Sequence, residues 1–352
     1  MREADLAAQR DLFRLSFPEA AGTPVEQHPH YQWKFRHFPA EGRPASYEYV
    51  GTEDGVIAAY YAALPYRYTV DGRSLTAGMV CDVMTHPALR GRGLFTAMGR
   101  YATEALKDEG IAFVTGYPIR PEVIPGHLKV GWKIVQPLPV WLRPTGLRTL
   151  LPRPLRRASR LLNPLLRLAL AWARPARGYR AQIVSREHFL AEVASTPAYR
   201  QLLDRWKGSV PNALEKDARF LAWRTGAPDT TYEFALLFRG DMLVGSAPLR
   251  ATSLKGIDCL AVLDVIVDPA HRAGAPTLHH EIARHAMHRG MDGVACMCSR
   301  ERAREYRFGR SGYLRTPAVF SLIVKRLSDV VSDQEVYDAR RWHVFWIDSD
   351  DL

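Results

Sequence analysis

The sequence predicts two α/β (α+β) domains of one fold in tandem, joined by an Arg/Leu/Pro-rich helical linker. Three observations carry this: a ten-residue pattern occurs twice, the same order of elements surrounds both copies, and a long acid-free stretch separates them. The first copy reads Cys81-Asp82-Val83-Met84-Thr85-His86-Pro87-Ala88-Leu89-Arg90. The second reads Leu263-Asp264-Val265-Ile266-Val267-Asp268-Pro269-Ala270-His271-Arg272. Asp, Val, Pro, Ala and Arg return at a constant offset of 182.

Each copy is preceded by a β-rich stretch, Tyr47-Glu48-Tyr49 in the first and Tyr232-Glu233-Phe234 in the second. Earlier still stand Trp33-Lys34 and Trp223-Arg224. Each is followed by an amphipathic helix that stops at glycine. Leu94, Met98, Ala102 and Leu106 share one face before Gly110, and Leu278, Ile282 and Ala286 share one face before Gly290. A short apolar strand comes next, Ala112–Thr115 and Val294–Met297. Both copies then reach a Gly-aromatic pair, Gly131-Trp132 and Gly312-Tyr313.

The chain has 352 residues and a net charge of +11. Between Val123 and Arg186 there is no Asp or Glu, while 11 Arg and 2 Lys fall there, so this one segment carries all of the excess. Pro144, Pro152, Pro154, Pro164 and Pro175 break it into short pieces. Arg153, Arg160, Arg167 and Arg174 recur every seven residues, with leucines mainly on other faces. Two short amphipathic helices, 153–162 and 164–174, are therefore expected, the second opened by Asn163-Pro164. Their Leu face packs on the chain's own domains, or the pair lies on an anionic membrane surface. The predicted divisions are 1–142, the linker 143–180, a second domain 181–330, and a strand with an acidic tail at 331–352.

No apolar run approaches the roughly 20 residues that span a bilayer. The charged N-terminus lacks a signal-peptide core, which predicts a cytoplasmic protein, peripheral at the inner membrane face if the linker binds lipid. Few aromatics interleave the linker arginines, so no nucleic acid is expected. The four cysteines do not make a disulfide framework; Cys296 and Cys298 share a strand face and read as a buried reduced pair. His279, His280, His285 and His288 crowd one helix, but no two stand four apart, and no metal is expected.

Strand, turn, glycine loop and helix form an anion-binding arrangement. In Arg90-Gly91-Arg92-Gly93-Leu94-Phe95 the glycines let backbone approach an anion, and the helix that follows offers free N–H groups and the positive end of its dipole. Val83-x-Thr85-x-Pro87, Arg90-x-x-Gly93, a helix, a strand and the Gly-aromatic turn together resemble the GNAT superfamily of acyl-coenzyme A N-acyltransferases. The likeness covers about 40–140 well and 215–325 weakly. The tandem arrangement and the Leu-Phe after the loop are similar to the branch of enhanced intracellular survival acetyltransferases.

That resemblance implies two GNAT-like domains, each a mixed, mostly antiparallel sheet with flanking helices. It implies acetyl-CoA, or another acyl-CoA, as co-substrate. Val83, Met84 and Thr85 would pair with the pantetheine arm, and Arg90, Gly91, Arg92, Gly93, Leu94, Phe95 and Thr96 would hold the pyrophosphate. Phe95 departs from the family's small residue. The family's acid is usually a tyrosine four residues before the Gly-aromatic turn; here His127 stands there, able to donate to sulfur. Asp82, His86, Glu48 and Tyr117 are the candidate bases or amine-binding groups, since an alkylammonium with pKa near about 10.4 must lose a proton before it attacks. Asp264 and Glu233 repeat Asp82 and Glu48, which suits structural roles for that pair. The acceptor is expected to be a small-molecule or amino-sugar amine, and the aromatic strand of the tail, Trp342 to Trp346, is expected to dock and bring Asp348 or Asp350 near it. The second copy reads Arg272-Ala273-Gly274-Ala275-Pro276, where proline removes one N–H, and has Phe308 in place of His127; it is expected not to catalyse. The alternatives are a non-catalytic acyl-CoA-binding scaffold at a membrane, or a transferase using aminoacyl-tRNA.

Overall fold

The computed structural model describes residues 1–118, 120–146, 176–228 and 230–350. The two predicted linker helices lie outside the described residues. Among those described, no helix is long and apolar enough to cross a membrane.

The first lobe opens with helices α1 (Leu6–Ser16) and α2 (His28–Phe35). Strands β1 (Tyr47–Glu53), β2 (Val56–Val70) and β3 (Arg73–Thr85) follow as an antiparallel meander. Its two turns are Asp54-Gly55 and Asp71-Gly72, all four residues at positive φ, the backbone that a tight hairpin requires. Helix α3 (Leu94–Asp108) returns the chain to β4 (Phe113–Gly116), parallel to β3. Helix α4 (Ile124–Lys129) and β5 (Lys133–Pro144) complete this half. One face of β2 and β3 packs under α3, with Tyr61, Ala63, Val80, Met98 and Leu106 in that layer. The other face packs under α1 and α2, with Leu12, Phe13, Tyr31 and Phe35.

The rest of the chain supplies β6 (Tyr179–Ser185), β7 (Asn212–Leu214), β8 (Tyr232–Arg239), β9 (Met242–Leu254), β10 (Ile257–Val262), β11 (Ile266–Val267), β12 (Gly293–Met297), β13 (Leu314–Arg326) and β14 (Trp342–His343). β7 pairs with β2 and β14 with β7, at the outer edge of the first lobe's strands, and β6 with β8 to β12 form the sheet of the second lobe. Its long helix spans Ala275–His288. β10 and β12 are parallel, as β3 and β4 are. The mixed, mostly antiparallel strands with flanking helices match the predicted class. The order β4-β13-β5-β12 adds a feature absent from the repeat pattern.

At the centre of the sheet each lobe receives a strand from the other half of the chain. β13 lies antiparallel to β4, Ile323 opposite Gly116, and β5 lies antiparallel to β12, Trp141 opposite Cys296. β5 and β13 pair with each other, Phe320 opposite Leu138, so the two sheets run together as one. A basic residue on each exchanged strand bonds to the receiving lobe's long helix. Lys325 Nζ donates to Thr103 Oγ1 at 2.8 Å on α3, and Arg143 Nη1 donates to the His279 carbonyl at 2.8 Å. These two residues are also 182 apart.

The same bulge interrupts both copies of the repeated motif. Across β2 and β3, Tyr60 pairs with Met84 but Ala62 pairs with Cys81, leaving one extra residue on β3. Asp82 absorbs it with φ of 49°. In the second lobe Val262 faces Leu249 and Ile266 faces Ser246, again with one extra residue.

The C-terminal segment is buried. β14 pairs with β7, Phe345 bridges to Cys298, and the Ile347 N–H donates to the Leu263 carbonyl at 2.9 Å. The segment therefore fills the gap that opens beyond the paired parts of β10 and β12. Asp348 is fully buried there near Lys216 and Asp264, and burial pushes its pKa up to about 6 against the attraction of Lys216. A carboxyl whose folded pKa is raised binds its proton more tightly when docked, so docking gains as pH falls through about 6. His343 in the same segment pulls the other way, because burial holds its pKa well below the ordinary imidazole range, so the Asp348 share is read against Asp348→Asn. The ratio of amide exchange rates of residues 345–349, unaltered chain over Asp348→Asn, should be lower at pH 5.5 than at pH 7.5; a higher ratio at the lower pH would count against this sign.

Candidate active site

β3 outruns its parallel neighbour. It pairs with β4 only at Gly78 and Met79, while β3 continues to Thr85. The edge of β3 from Val80 onward faces away from β2 with no described strand beside it. A cavity of about 830 Å³ opens there. Its walls come from this edge, the start of α3, the segment from Gly116 to Lys129, and α1 with the turn after it.

At one end lies the N-terminus of α3. Gly91 and Gly93 both have φ of 80°, which favours glycine, and a Cβ on either would meet nothing within 4 Å. Gly93 is the N-cap and carries no side chain to satisfy the first-turn amides. Arg90, Gly91, Gly93, Leu94, Phe95 and Thr96 line the cavity, as do Val83, Met84 and Thr85. The Thr85 hydroxyl is buried and has no hydrogen-bond partner among the described residues. Lys129 adds a second cation. Open amides, left-handed glycines, an unpaired strand edge and nearby cations fit a polyphosphate joined to an extended amide chain. Arg92 is turned away and bonds Glu53 at 2.5 Å. The Phe95 ring lies edge-on to His127, centroids 5.0 Å apart, over Gly126, where a Cβ would come within 2.5 Å of it. Gly126 is what makes room for the bulky residue.

About three residues deeper along β3, near 10 Å at strand spacing, stands Asp82. Its carboxylate accepts from Lys34 Nζ at 2.9 Å, and the same ammonium donates to Asp350 at 2.6 Å. Burial works against this ammonium, yet the attraction of Asp350 and Asp82 outweighs it and holds the pKa above the ordinary lysine range. Cys81 Sγ and the two carboxylates offer ligand atoms within 4.8 Å of one another, but Lys34 bonds both carboxylates. His30 also lines this end; burial, then Lys34, lower its pKa to about 3. Phe13, Phe17, Ala20 and Val25 make an apolar wall.

The structure brings Asp82, Tyr117 and His127 to the cavity. The Tyr117 hydroxyl is 3.0 Å from that of Tyr68, and burial raises its pKa. His127 is buried between the rings of Phe95 and Trp132, and desolvation lowers its pKa to about 4, so it is neutral at pH 7. Glu48 lies away from the cavity wall. Its carboxylate accepts from Tyr31 at 2.8 Å, Tyr60 at 2.6 Å, Ser46 at 2.9 Å, and Arg36. His86 caps a turn: its Nδ1 accepts from the Ala88 N–H at 3.3 Å, as Asp268 accepts from Ala270 at 3.0 Å in the other copy. Lys34 and His30 were not among the predicted site residues; of the two tail carboxylates expected near the acceptor, Asp350 lines the cavity and Asp348 is buried in the second lobe. A lysine in the aromatic run His28-Pro29-His30-Tyr31-Gln32-Trp33-Lys34-Phe35 was the one available signal.

Among the described residues the second lobe shows no equivalent opening. Its gap holds the C-terminal segment. The helix Ala275–His288 begins beneath Tyr179, whose ring lies where a Cβ on Gly274 would stand, and Thr277 accepts the Ala176 N–H at 2.8 Å. Phe308 is fully buried against Tyr313 and His279. The clustered histidines are spread over separate roles: His279 bonds the Tyr306 carbonyl at 3.1 Å, His285 bonds Glu233 at 3.0 Å, and His288 faces Arg284.

The acetyltransferase (GNAT) domain family model matches residues 1–135. Among solved structures, a GCN5-related N-acetyltransferase from Anabaena variabilis is 12% identical with a TM-score of 0.64, covering 93% of this chain and 71% of that one. A tandem GNAT protein from the clavulanic acid biosynthesis pathway is 13% identical with a TM-score of 0.56, covering 94% and 97%. Saccharomyces cerevisiae N-myristoyltransferase, solved with myristoyl-CoA bound, is 12% identical with a TM-score of 0.59, covering 97% and 81%. No curated protein matches the chain. None of these likenesses singles out the enhanced intracellular survival branch. The acetyltransferase (GNAT) domain model thus accounts for residues 1–135, and the chain as a whole shares the fold of the tandem GNAT protein.

Proposed function

We propose that the chain moves an acetyl or other acyl group from acyl-CoA to a small amine, an amino sugar included, in the first lobe, and that the second lobe does not catalyse. One observation carries this reading. The first lobe joins an unpaired strand edge to an open helix N-terminus, whereas in the second lobe the chain's own C-terminal segment and Tyr179 cover the same two features. The pyrophosphate takes the amides of residues 91–96, and the pantetheine arm runs along β3 from Thr85 towards Asp82. The free-base amine attacks the thioester carbonyl directly, the C–N bond forms, the C–S bond breaks to release the thiolate, and the proton shed by the nitrogen ends on the sulfur to give the thiol. A thiol pKa near about 8.5 makes sulfur a fair leaving group, so a neutral imidazole hydrogen bonded to it suffices and an imidazolium is not required. His127, desolvated between two rings, suits that role.

Calorimetric titration with acetyl-CoA should give one site per chain, and thiol release should follow on adding amines. Two equivalent sites would refute the division of labour between the lobes. Binding without thiol release across alkyl amines, amino acids and amino sugars would favour the scaffold alternative.

A further inference from the structure

The repeated Trp-cation pairs meet at the junction of the lobes. Trp33 and Trp223 stack with centroids 5.2 Å apart. Each indole donates to the other's carbonyl, at 2.7 and 2.9 Å. The next residue on each helix is a cation, and the two cations hold successive residues of the C-terminal segment. Arg224 Nη2 donates to the Ser349 carbonyl at 3.0 Å, and Lys34 Nζ donates to the Asp350 carboxylate at 2.6 Å. Lys34 also bonds Asp82, at the left-handed bulge of β3. Lys34 is 5% exposed and bonds a carboxylate 316 positions away, so its ammonium keeps both partners only while the segment stays in place. The same segment fills the gap of the second lobe through Phe345 and Ile347, then ends in the cavity of the first.

We propose that Lys34 is a positioning residue that latches the C-terminal segment across the deep end of the first-lobe cavity, so that this wall of the acyl-transfer site is supplied by the other lobe. The inference rests on the reading of that cavity as the acyl-transfer site. Its consequence is local: with the segment released, the Asp82 bulge loses its fixed partner, and Cys81 beneath it becomes reachable. The Cys81 thiol lies within 4.8 Å of the Asp350 and Asp82 carboxylates and is buried with the segment docked.

The test follows labelling of Cys81 by N-ethylmaleimide in the full chain, read peptide by peptide, with Cys259, Cys296 and Cys298 as internal controls. Asp350→Ala should speed Cys81 labelling at least tenfold while the three control cysteines keep their rates. Lys34→Met should act in the same direction, and Lys34→Arg should restore slow labelling, because a guanidinium can still bridge two carboxylates. Lys34→Met leaves two carboxylates without their cation and risks misfolding, so Asp350→Ala decides. Unchanged Cys81 labelling in Asp350→Ala would overturn the latch. So would an equal rise at all four cysteines, which reports general loosening. Acetyl-CoA should slow Cys81 labelling in the unaltered chain; failure there counts against the acyl-CoA reading, while the variant comparison still decides the latch.

Discussion

Gly93→Asp should raise the dissociation constant for acetyl-CoA at least about 100-fold, close to 2.7 kcal/mol, while leaving the protein folded. Gly93 is the N-cap of α3 with φ of 80° and empty space around its Cα hydrogens. Aspartate tolerates left-handed backbone better than most residues. Its carboxylate would sit at the positive end of the helix, which favours the fold by roughly 0.3–1 kcal/mol. The same carboxylate would occupy the anion seat and repel a pyrophosphate. Fold and binding are thereby separated: the melting temperature should shift by only a few degrees as the affinity collapses. Arg92→Ala is the useful contrast, because Arg92 bonds Glu53 and does not line the cavity. It should change affinity by no more than about threefold. Calorimetry on both variants checks the pair, and tight binding by Gly93→Asp would move the carrier away from this helix.

Much of this was readable before any coordinates. Glycines at 91 and 93 followed by an amphipathic run state an anion loop, since local backbone needs and helix periodicity are both written in adjacent residues. The Asp-Gly turns and the stops at Gly110 and Gly290 are local for the same reason. The candidate bases were harder. Asp82, His86 and Glu48 lie near the motif in sequence, yet strand alternation and a bulge send them to different places: Asp82 into the cavity, His86 onto a turn, Glu48 into a ring of Tyr31, Tyr60 and Arg36. A bulge shifts register by one residue, and no composition rule locates it. The aromatic tail announced that Asp348 or Asp350 would reach the site, but Lys34 escaped because its meaning lies in a contact across 316 residues. The exchange of β5 and β13 escaped for a related reason. Both strands look alike in either pairing, and only the three-dimensional order of the sheet shows which lobe receives which.

That exchange has the second large consequence: neither lobe should fold on its own. A chain cut after residue 146 loses β13 from both β4 and β5. Leu322, Ile323 and Val324 are all fully buried, and Ile323 packs against Gly116 and Trp132 and lines the cavity. Burial of each such side chain is worth about 1.5–3 kcal/mol, so losing the three together rivals the whole net stability of a domain, about 5–15 kcal/mol. The cut also exposes the inner edges of β4 and β5, ready to pair with other chains. The fragment 1–146 should therefore aggregate or remain unfolded, and should not bind acetyl-CoA, although it carries the entire Arg90-x-x-Gly93 loop. The fragment 176–352 loses β5 from β12 and β13, and with it the buried Arg143 beneath the His279 carbonyl. It should fail in the same way. Co-expression of the two should recover a soluble complex that binds one acetyl-CoA, because the exchanged strands supply each lobe's missing centre without a covalent link. A soluble 1–146 that binds acetyl-CoA with native affinity would mean that β13 contributes little to the first lobe and that the strand exchange does not hold the site together.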